Sequence, residues 1–142
     1  MTPLDLTQRP PRSPKEELGG LCMLPRMIDV ARSKLPGGNI GQYQIGRGLS
    51  GVVLRQFGID VEEFVNCVRD ATSDEEVATR LLAGRDRAEI RLLAVRLRRA
   101  TVADVPPEMR AAFEQFYGAG LPPDKRVFDL LEEDDAQSFG AS

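Results

Sequence analysis

The stretch LDLTQRPPRSPKEELGGLCMLPRMIDVA, residues 4–31, decides the fold. It begins with a proline-rich segment, and proline both fixes its own backbone and biases the preceding residue away from helix. We therefore expect residues 1–13 to form an extended, proline-rich arm that packs on a single helical domain, residues 14–142. The double glycine that follows weakens any helix before it, so only a short turn is predicted at 14–18.

The second half of the stretch has the spacing of an amphipathic helix over about 21–34. Apolar side chains recur there at intervals of three and four residues, which places them on one face. These side chains are Leu21, Leu24, Ile28, Ala31 and Leu35. The opposite face carries a polar stripe of Cys22, Arg26, Asp29 and Ser33. The Pro-Gly-Gly sequence at 36–38 ends this helix, which we expect to face the core.

The remainder of the chain is predicted to be helical as well. Capping boxes at 60–63 and 73–76, together with prolines and glycines between apolar runs, mark the helix ends. The predicted helices cover 52–57, 61–71, 74–83, 85–100, 104–117 and about 124–133. No stretch alternates long enough for a sheet. The prediction is a compact all-α domain of six or seven short helices.

Composition indicates a soluble globular protein. Hydrophobic residues make up 42% and charged residues 29% of the 142 residues, which suits one domain with a real core. The first residues lack the apolar centre of a signal peptide, and no apolar run is long enough to span a membrane. We therefore expect a cytoplasmic protein with no membrane partner and with both cysteines reduced.

The chain contains no histidine, and this narrows its chemistry. Catalytic triads with histidine and histidine-ligated metal sites are excluded, and two cysteines are too few for a structural zinc site. We assign no catalytic residue, no metal site and no cofactor. Acid–base chemistry, if there is any, would fall to carboxylates or to Cys22.

Several short sequence motifs resemble those of one family. They are Asp5-Leu6-Thr7, Arg9-Pro10-Pro11-Arg12-Ser13-Pro14, Leu18-Gly19-Gly20, Leu24-Pro25-Arg26-Met27-Ile28-Asp29, Gly41-Gln42-Tyr43 and Phe128-Asp129-Leu130-Leu131. Together they resemble an uncharacterised bacterial family, domain of unknown function 5069. The resemblance supplies no activity. The family's middle loop usually continues with further aromatic residues and a Pro-Leu-Asp, whereas here it reads QIGRGLSG, so a ligand of that loop could differ.

The polar stripe has two interpretations. Arg26 could clamp a carboxylate or phosphate while Asp29 orients it, in a ligand site completed by Ser33, Tyr43 and Asp129. Alternatively, Arg26 and Asp29 form an i, i+3 ion pair on a solvated helix face, which contributes little stability. Spacing favours the ion pair, and the family resemblance favours the ligand site.

The sequence Gly46-Arg47-Gly48-Leu49-Ser50-Gly51 matches the phosphate-binding pattern G-x-G-x-x-G. A dinucleotide fold would need a buried strand before it and an acid about 20 residues after it, and this context is missing. A simpler anion site on Arg47, Gly48, Ser50 and Gly51 stays open. Its alternative is a flexible glycine loop.

The predicted helix Arg85–Ala100 is rich in arginine and apolar on two sides. We expect either a homodimer through this helix, with Leu92 and Val95 at the contact, or a central helix buried within one chain. The acidic stretch 129–135 offers these arginines an intramolecular partner. Nucleic acid is disfavoured, because the net charge is −3 and no aromatic residue interleaves with the arginines.

The function expected from these observations is non-catalytic: a binding or interaction module with an unidentified small ligand or protein as partner. One alternative is a small enzyme that uses carboxylates or Cys22. Another is an anion- or nucleotide-responsive regulator that uses the Gly46–Gly51 loop.

Overall fold

The computed structural model describes residues 1–140. Within them the chain forms seven α-helices, one 3-10 turn and one hairpin of two-residue strands. In chain order these are β1 (Glu17–Leu18), β2 (Leu21–Cys22), α1 (Leu24–Ser33), α2 (Gly48–Phe57), α3 (Val61–Asp70), α4 (Asp74–Leu82), α5 (Arg87–Arg99), the 3-10 turn Val102–Asp104, α6 (Pro107–Tyr117) and α7 (Val127–Ser138). The prediction of a compact, mostly helical fold is confirmed, and the hairpin corrects the purely helical class.

The hairpin replaces the predicted turn at 14–18 and the first turn of the predicted helix 21–34. Gly19 and Gly20 have φ angles of 62° and 83°, the backbone conformation that a two-residue hairpin turn requires. Strand residues Leu18 and Leu21 pair across it. Cys22 therefore belongs to β2 and not to the helix, so the predicted polar stripe loses its first member.

The core forms around α1, which packs against α3, α4 and the hairpin. Leu24, Ile28 and Ala31 are fully buried on α1, as the apolar spacing predicts. Phe64 of α3 and Phe128 of α7 are the largest fully buried side chains of this core. The capping box predicted at 60–63 is present and begins α3.

Helices α1, α5 and α6 begin two or three residues later than predicted, and α2 and α7 differ from the predictions in ways that bear on the site. Helix α2 begins at Gly48 instead of residue 52, because Arg47 occupies the N-cap in an extended conformation. Helix α7 extends to Ser138, so the acidic run lies inside the helix. Acids near a helix C-terminus oppose its dipole. Cations from elsewhere in the chain, Lys15, Arg26 and Lys125, pair with this run.

The N-terminal segment contains no helix in residues 1–13. Its Leu6 side chain is buried, and the Leu6 amide donates to the carbonyl of Asn39. The α-amino group of Met1 donates to the carbonyl of Ala71 at the end of α3. The segment thus contacts both the loop after α1 and the end of α3.

Across residues 1–140, no helix combines the length and the apolar character that crossing a membrane requires.

Candidate functional site

A buried charged cluster joins α1, the loop after it and α7. Arg26 on α1 donates from Nη1 to Asp135 Oδ2 at 2.7 Å and from Nη2 to Asp135 Oδ1 at 3.1 Å. The Tyr43 hydroxyl donates to the same Asp135 Oδ1 at 2.9 Å. The guanidinium carbon of Arg26 lies 5.5 Å from the centre of the Tyr43 ring, within cation–π range. These three residues form what we call the Arg26 cluster.

The Arg26 cluster is shielded from water. Only 5% of Arg26 and 8% of Asp135 is exposed. Burying two charges carries a desolvation penalty that only good geometry and additional hydrogen bonds can offset. Both are present, since Arg26 Nη1 also donates to the Arg12 carbonyl at 3.2 Å and Asp135 accepts from Tyr43. The two charges of the pair are therefore compensated within the protein itself.

Asp29 pairs with Arg12 rather than with Arg26. Asp29 accepts from the Arg12 amide at 2.8 Å, from Nε at 3.1 Å and from Nη2 at 3.0 Å. Nη1 of Arg12 reaches Asp74 Oδ2 on α4 at 2.7 Å. The prediction of a solvated Arg26–Asp29 ion pair is wrong, because both side chains are buried and each has a distant partner. Burial alone would lower the pKa of Arg12, but the hydrogen bonds that Arg12 donates to Asp74 and Asp29 outweigh burial and raise this pKa above its usual range.

The other predicted ligand residues occupy different surroundings. Burial and the hydrogen bond to Asp135 raise the pKa of Tyr43 above its usual range, so its hydroxyl stays protonated. Ser33 is buried and donates to the Val30 carbonyl on its own helix. Asp129 is partly exposed and accepts from Lys15 at 2.8 Å. The structure thus brings Arg26 and Tyr43 together and links Asp29 to them through Arg12, whereas Ser33 and Asp129 bond elsewhere.

Two members of this arrangement, Arg12 and Asp135, were missed by sequence reasoning. Arg12 stands in the proline-rich segment, where it has no helical spacing to any partner. Asp135 stands in an acidic run that resembles a solvated helix end. One signal in the sequence could have identified Asp135. Acids near the C-terminus of a helix oppose the helix dipole, so this run requires a cation from elsewhere in the chain.

A partly buried aromatic residue lies near the same charges. Burial is the main cause that raises the pKa of Tyr117 to about 12, and the negative charge of the nearby Asp134 adds to it. Burial and the neighbouring Asp135 raise the pKa of Asp134 above its usual range. The Tyr117 hydroxyl, at the end of α6, therefore keeps its proton at neutral pH.

Two shallow depressions lie on the surface formed by residues 1–140, and neither is lined by the Arg26 cluster. One lies between Gly20 of the hairpin turn and Arg87 of α5. The other lies between Gly19 and Ala78 of α4. The Arg26 cluster fixes one part of the chain against another, and neither of these two depressions opens onto it.

The glycine loop folds back onto the start of α2. The Ser50 hydroxyl accepts from the Gly46 amide at 2.9 Å and donates to the Arg47 carbonyl at 2.8 Å. A Cβ on Gly51 would lie 2.6 Å from the Gly46 carbonyl oxygen, so glycine is needed for this close approach. Two residues of the predicted anion site have structural roles. Gly48 is the first residue of α2, and the Ser50 hydroxyl forms hydrogen bonds within its own loop.

Cys22 has the properties of a structural thiol. It is fully buried, and its Sγ donates to the Ala94 carbonyl at 3.5 Å. Burial raises the pKa of Cys22, whereas a nucleophilic cysteine needs a lowered pKa and access to solvent. Throughout the described part of the chain, no group of three or more Cys, Asp or Glu side chains could hold a metal ion.

Comparison with known proteins places the chain in one family. No curated protein matches it. A family model described as a domain of unknown function, DUF5069, matches residues 8–137. The match includes Arg12, the Arg26 cluster and all seven α-helices except the last residue of α7. The resemblance predicted from the sequence is confirmed: the chain belongs to the DUF5069 family.

Proposed function

We propose that the protein is a non-catalytic interaction module that binds an acidic surface of a partner protein through α5. The observation that carries this proposal is an exposed apolar centre on that helix. Leu92 is 71% exposed and Val95 is 39% exposed, while Ile90 and Leu97 of the same helix are buried in the core. We call Leu92, Val95 and the exposed Arg91, Arg96 and Arg99 the α5 surface.

The arginines of the α5 surface lack carboxylate partners. Among residues 1–140 no ion pair involves Arg91, Arg96 or Arg99, although all three are exposed. Arg98 pairs with Glu17 at 2.8 Å. The acids of α7, expected to neutralise these arginines, instead pair with Lys15, Arg26 and Lys125. Because these acids do not neutralise its arginines, the α5 surface is strongly basic.

An apolar centre with a rim of arginine is a composition typical of protein–protein interfaces. The cores of protein–protein interfaces favour apolar residues. Compared with the rest of the protein surface, interfaces are enriched in arginine and depleted of lysine. Arginine also binds carboxylates through two parallel hydrogen bonds. A partner segment that combines an apolar side chain with several carboxylates would complement the α5 surface.

The catalytic alternative has less support from the geometry. A carboxylate enzyme needs an acid that can reach a substrate, but Asp29 and Asp135 are buried and bonded to arginines. Cys22 is buried with a raised pKa. The anion-responsive alternative is weakened because Ser50 is already bonded to its own loop.

A homodimer through the Arg85–Ala100 helix is the second candidate. Exposure of Leu92 and Val95 favours it. However, a two-fold contact places the same surface of both copies face to face. Arginines of one copy would then meet arginines of the other, and like charges across an interface are unfavourable. An acidic partner avoids this repulsion. The proposed setting is the cytoplasm, where Cys22 and Cys67 remain reduced thiols.

Binding of a designed peptide tests the proposal. The probe is a fluorescently labelled helical peptide of leucine and glutamate, and its control has lysine in place of each glutamate. We expect the protein to bind the acidic peptide only, with affinity that falls as salt increases. Arg96→Glu should weaken binding about tenfold. Arg69→Glu, the same change at an exposed position of α3, should not change binding.

Three results would contradict the proposal. The protein could fail to bind the acidic peptide at millimolar concentration. It could bind both peptides equally. It could also bind duplex DNA more tightly than the acidic peptide, which would assign the arginines of the α5 surface to nucleic acid.

A further inference from the structure

We infer that α6 is a self-association surface, on which α6 of a second copy of this chain lies antiparallel. Helix α6 carries an apolar stripe at positions i, i+3, i+4, i+7 and i+8, the spacing of one continuous helix face. The stripe consists of Met109, Ala112, Phe113, Phe116 and Tyr117, which we call the α6 stripe. This inference is independent of the proposed function, because the α6 stripe shares no residue with the α5 surface.

The α6 stripe is incompletely covered by its own chain. None of the 11 residues of α6 is buried. Met109 is 43% exposed and Phe116 is 49% exposed. Isolated helices shorter than about 12–15 residues are only marginally stable in water, so α6 depends on packing of its apolar face. The α6 stripe therefore has apolar surface left for a partner.

Aromatic residues are concentrated on this helix. The chain has six Phe and two Tyr, and three of these eight lie on α6. The Tyr117 ring centre lies 4.8 Å from that of Phe113 and 4.7 Å from that of Phe116. A partly exposed aromatic cluster is typical of the residues that dominate protein interfaces.

The charged residues beside the α6 stripe favour a second copy of the chain as its partner. The flanking ionisable residues are Glu108, Arg110 and Glu114, so two copies meet without the repulsion that the α5 surface would produce. In an antiparallel pair related by a two-fold axis near Ala112, Arg110 of one copy lies beside the second copy's Glu114. Within residues 1–140 no ion pair involves Arg110, which is partly buried. Its Nη2 donates to the Val105 carbonyl at 3.2 Å, and its Nε is buried without a hydrogen-bond partner.

Two other occupants fit less well. Helices that lie on membranes carry Lys and Arg on their polar face, whereas Glu108 and Glu114 outnumber Arg110 here. A strongly charged partner protein would find few opposite charges beside the α6 stripe. A second copy supplies both the matching apolar stripe and the matching charges.

The expected dimer is weak. A helix of 11 residues is about 16 Å long, and one such face is smaller than the roughly 800 Å² that each partner buries in a stable complex. The association should therefore depend on concentration and be half complete in the micromolar-to-millimolar range.

Sedimentation equilibrium on the full chain tests the inference. We expect the wild-type protein to dimerise, and Phe116→Lys to weaken the dimer about a hundredfold, because each side chain is lost twice across a two-fold axis. Leu92→Lys is the matched control on α5 and should leave the dimer intact. Both side chains are exposed, so both variants should fold, and circular dichroism checks this.

A cross-link tests the orientation. In a Cys67→Ser background, Ala112→Cys should form a disulfide-linked dimer under mild oxidation, because position 112 lies near the two-fold axis; Leu92→Cys should not. A wild-type chain that stays monomeric, or a dimer that survives Phe116→Lys, would overturn the inference. If Leu92→Lys also abolishes the dimer, the cross-link decides. Formation of the Ala112→Cys cross-link would then support the inference, and its failure would overturn the inference.

Discussion

Arg26 and Asp135 are separated by 109 positions in the chain and form a bidentate ion pair that is almost completely buried. Asp135 lies near the C-terminus of α7, where a negative charge opposes the helix dipole. The guanidinium of Arg26 offsets that charge, and Tyr43 holds the carboxylate from the loop after α1. One arginine thus joins the first helix to the last.

Removing the Asp135 carboxylate should destabilise the fold strongly. Asp135→Ala would leave Arg26 as an uncompensated buried cation and Tyr43 without its acceptor. Breaking a buried pair in this way typically costs about 3–5 kcal/mol. Urea unfolding monitored by circular dichroism measures the loss.

The neighbouring Asp134 provides the matched control for that experiment. It forms no ion pair among the described residues, and burial raises its pKa. Asp134→Ala should therefore change stability by less than about 1 kcal/mol. Equal losses in the two variants would show that the Arg26–Asp135 pair contributes nothing specific.

A second set of charges predicts how stability depends on pH. Hydrogen bonds from Lys15 lower the pKa of Asp129 and of Glu132, so both carboxylates are stabilised in the folded state. This stabilisation is complete above the unfolded-state pKa values of about 3.9 and 4.3, and it disappears as the pH falls through the lower folded-state values.

The variant Lys15→Met isolates this contribution. Stability measured by thermal unfolding from pH 7 to pH 3 should fall less in Lys15→Met than in the wild type. The difference should shrink in 0.5 M salt, because all three side chains are partly exposed and their interaction is screened. Identical pH profiles would rule out a role for Lys15.

Local patterns explain which parts of the fold could be predicted. The three- and four-residue spacing of Leu24, Ile28 and Ala31 identified the apolar side of α1, although the opposite, polar side is buried as well. Asp60 with Glu63 identified the start of α3. Each signal lies within one turn of helix. The hairpin was missed because strands of two residues are too short to show alternation.

The candidate site could be predicted only in part, for a related reason. Arg26, Asp29 and Tyr43 stood in the words that resemble the family, but their partners did not follow from spacing. Asp29 bonds to Arg12, 17 positions away, and Arg26 bonds to Asp135, which is far more distant. Helical spacing suggested instead the nearest pair of opposite charges, and tertiary packing overrode it.

The hairpin glycines should differ in their tolerance of alanine. Both have a positive φ angle, which disfavours any side chain by about 1–2 kcal/mol. A Cβ on Gly19 would also lie 2.6 Å from Cδ1 of Leu82, whereas a Cβ on Gly20 meets nothing within 4 Å. Chemical denaturation should show Gly19→Ala to be less stable than Gly20→Ala. The reverse order would contradict the close approach of the hairpin turn to α4.

Thiol labelling distinguishes the interaction module from a cysteine enzyme. Cys22 is fully buried and burial raises its pKa, while Cys67 is partly exposed, also with a pKa raised by burial. We therefore expect a disulfide reagent at pH 7 to react slowly with Cys67 and to reach Cys22 only when the protein unfolds. The single variants Cys22→Ala and Cys67→Ser assign each reaction phase. Fast labelling of Cys22 in the folded Cys67→Ser variant would contradict its role as a core residue and restore the catalytic alternative.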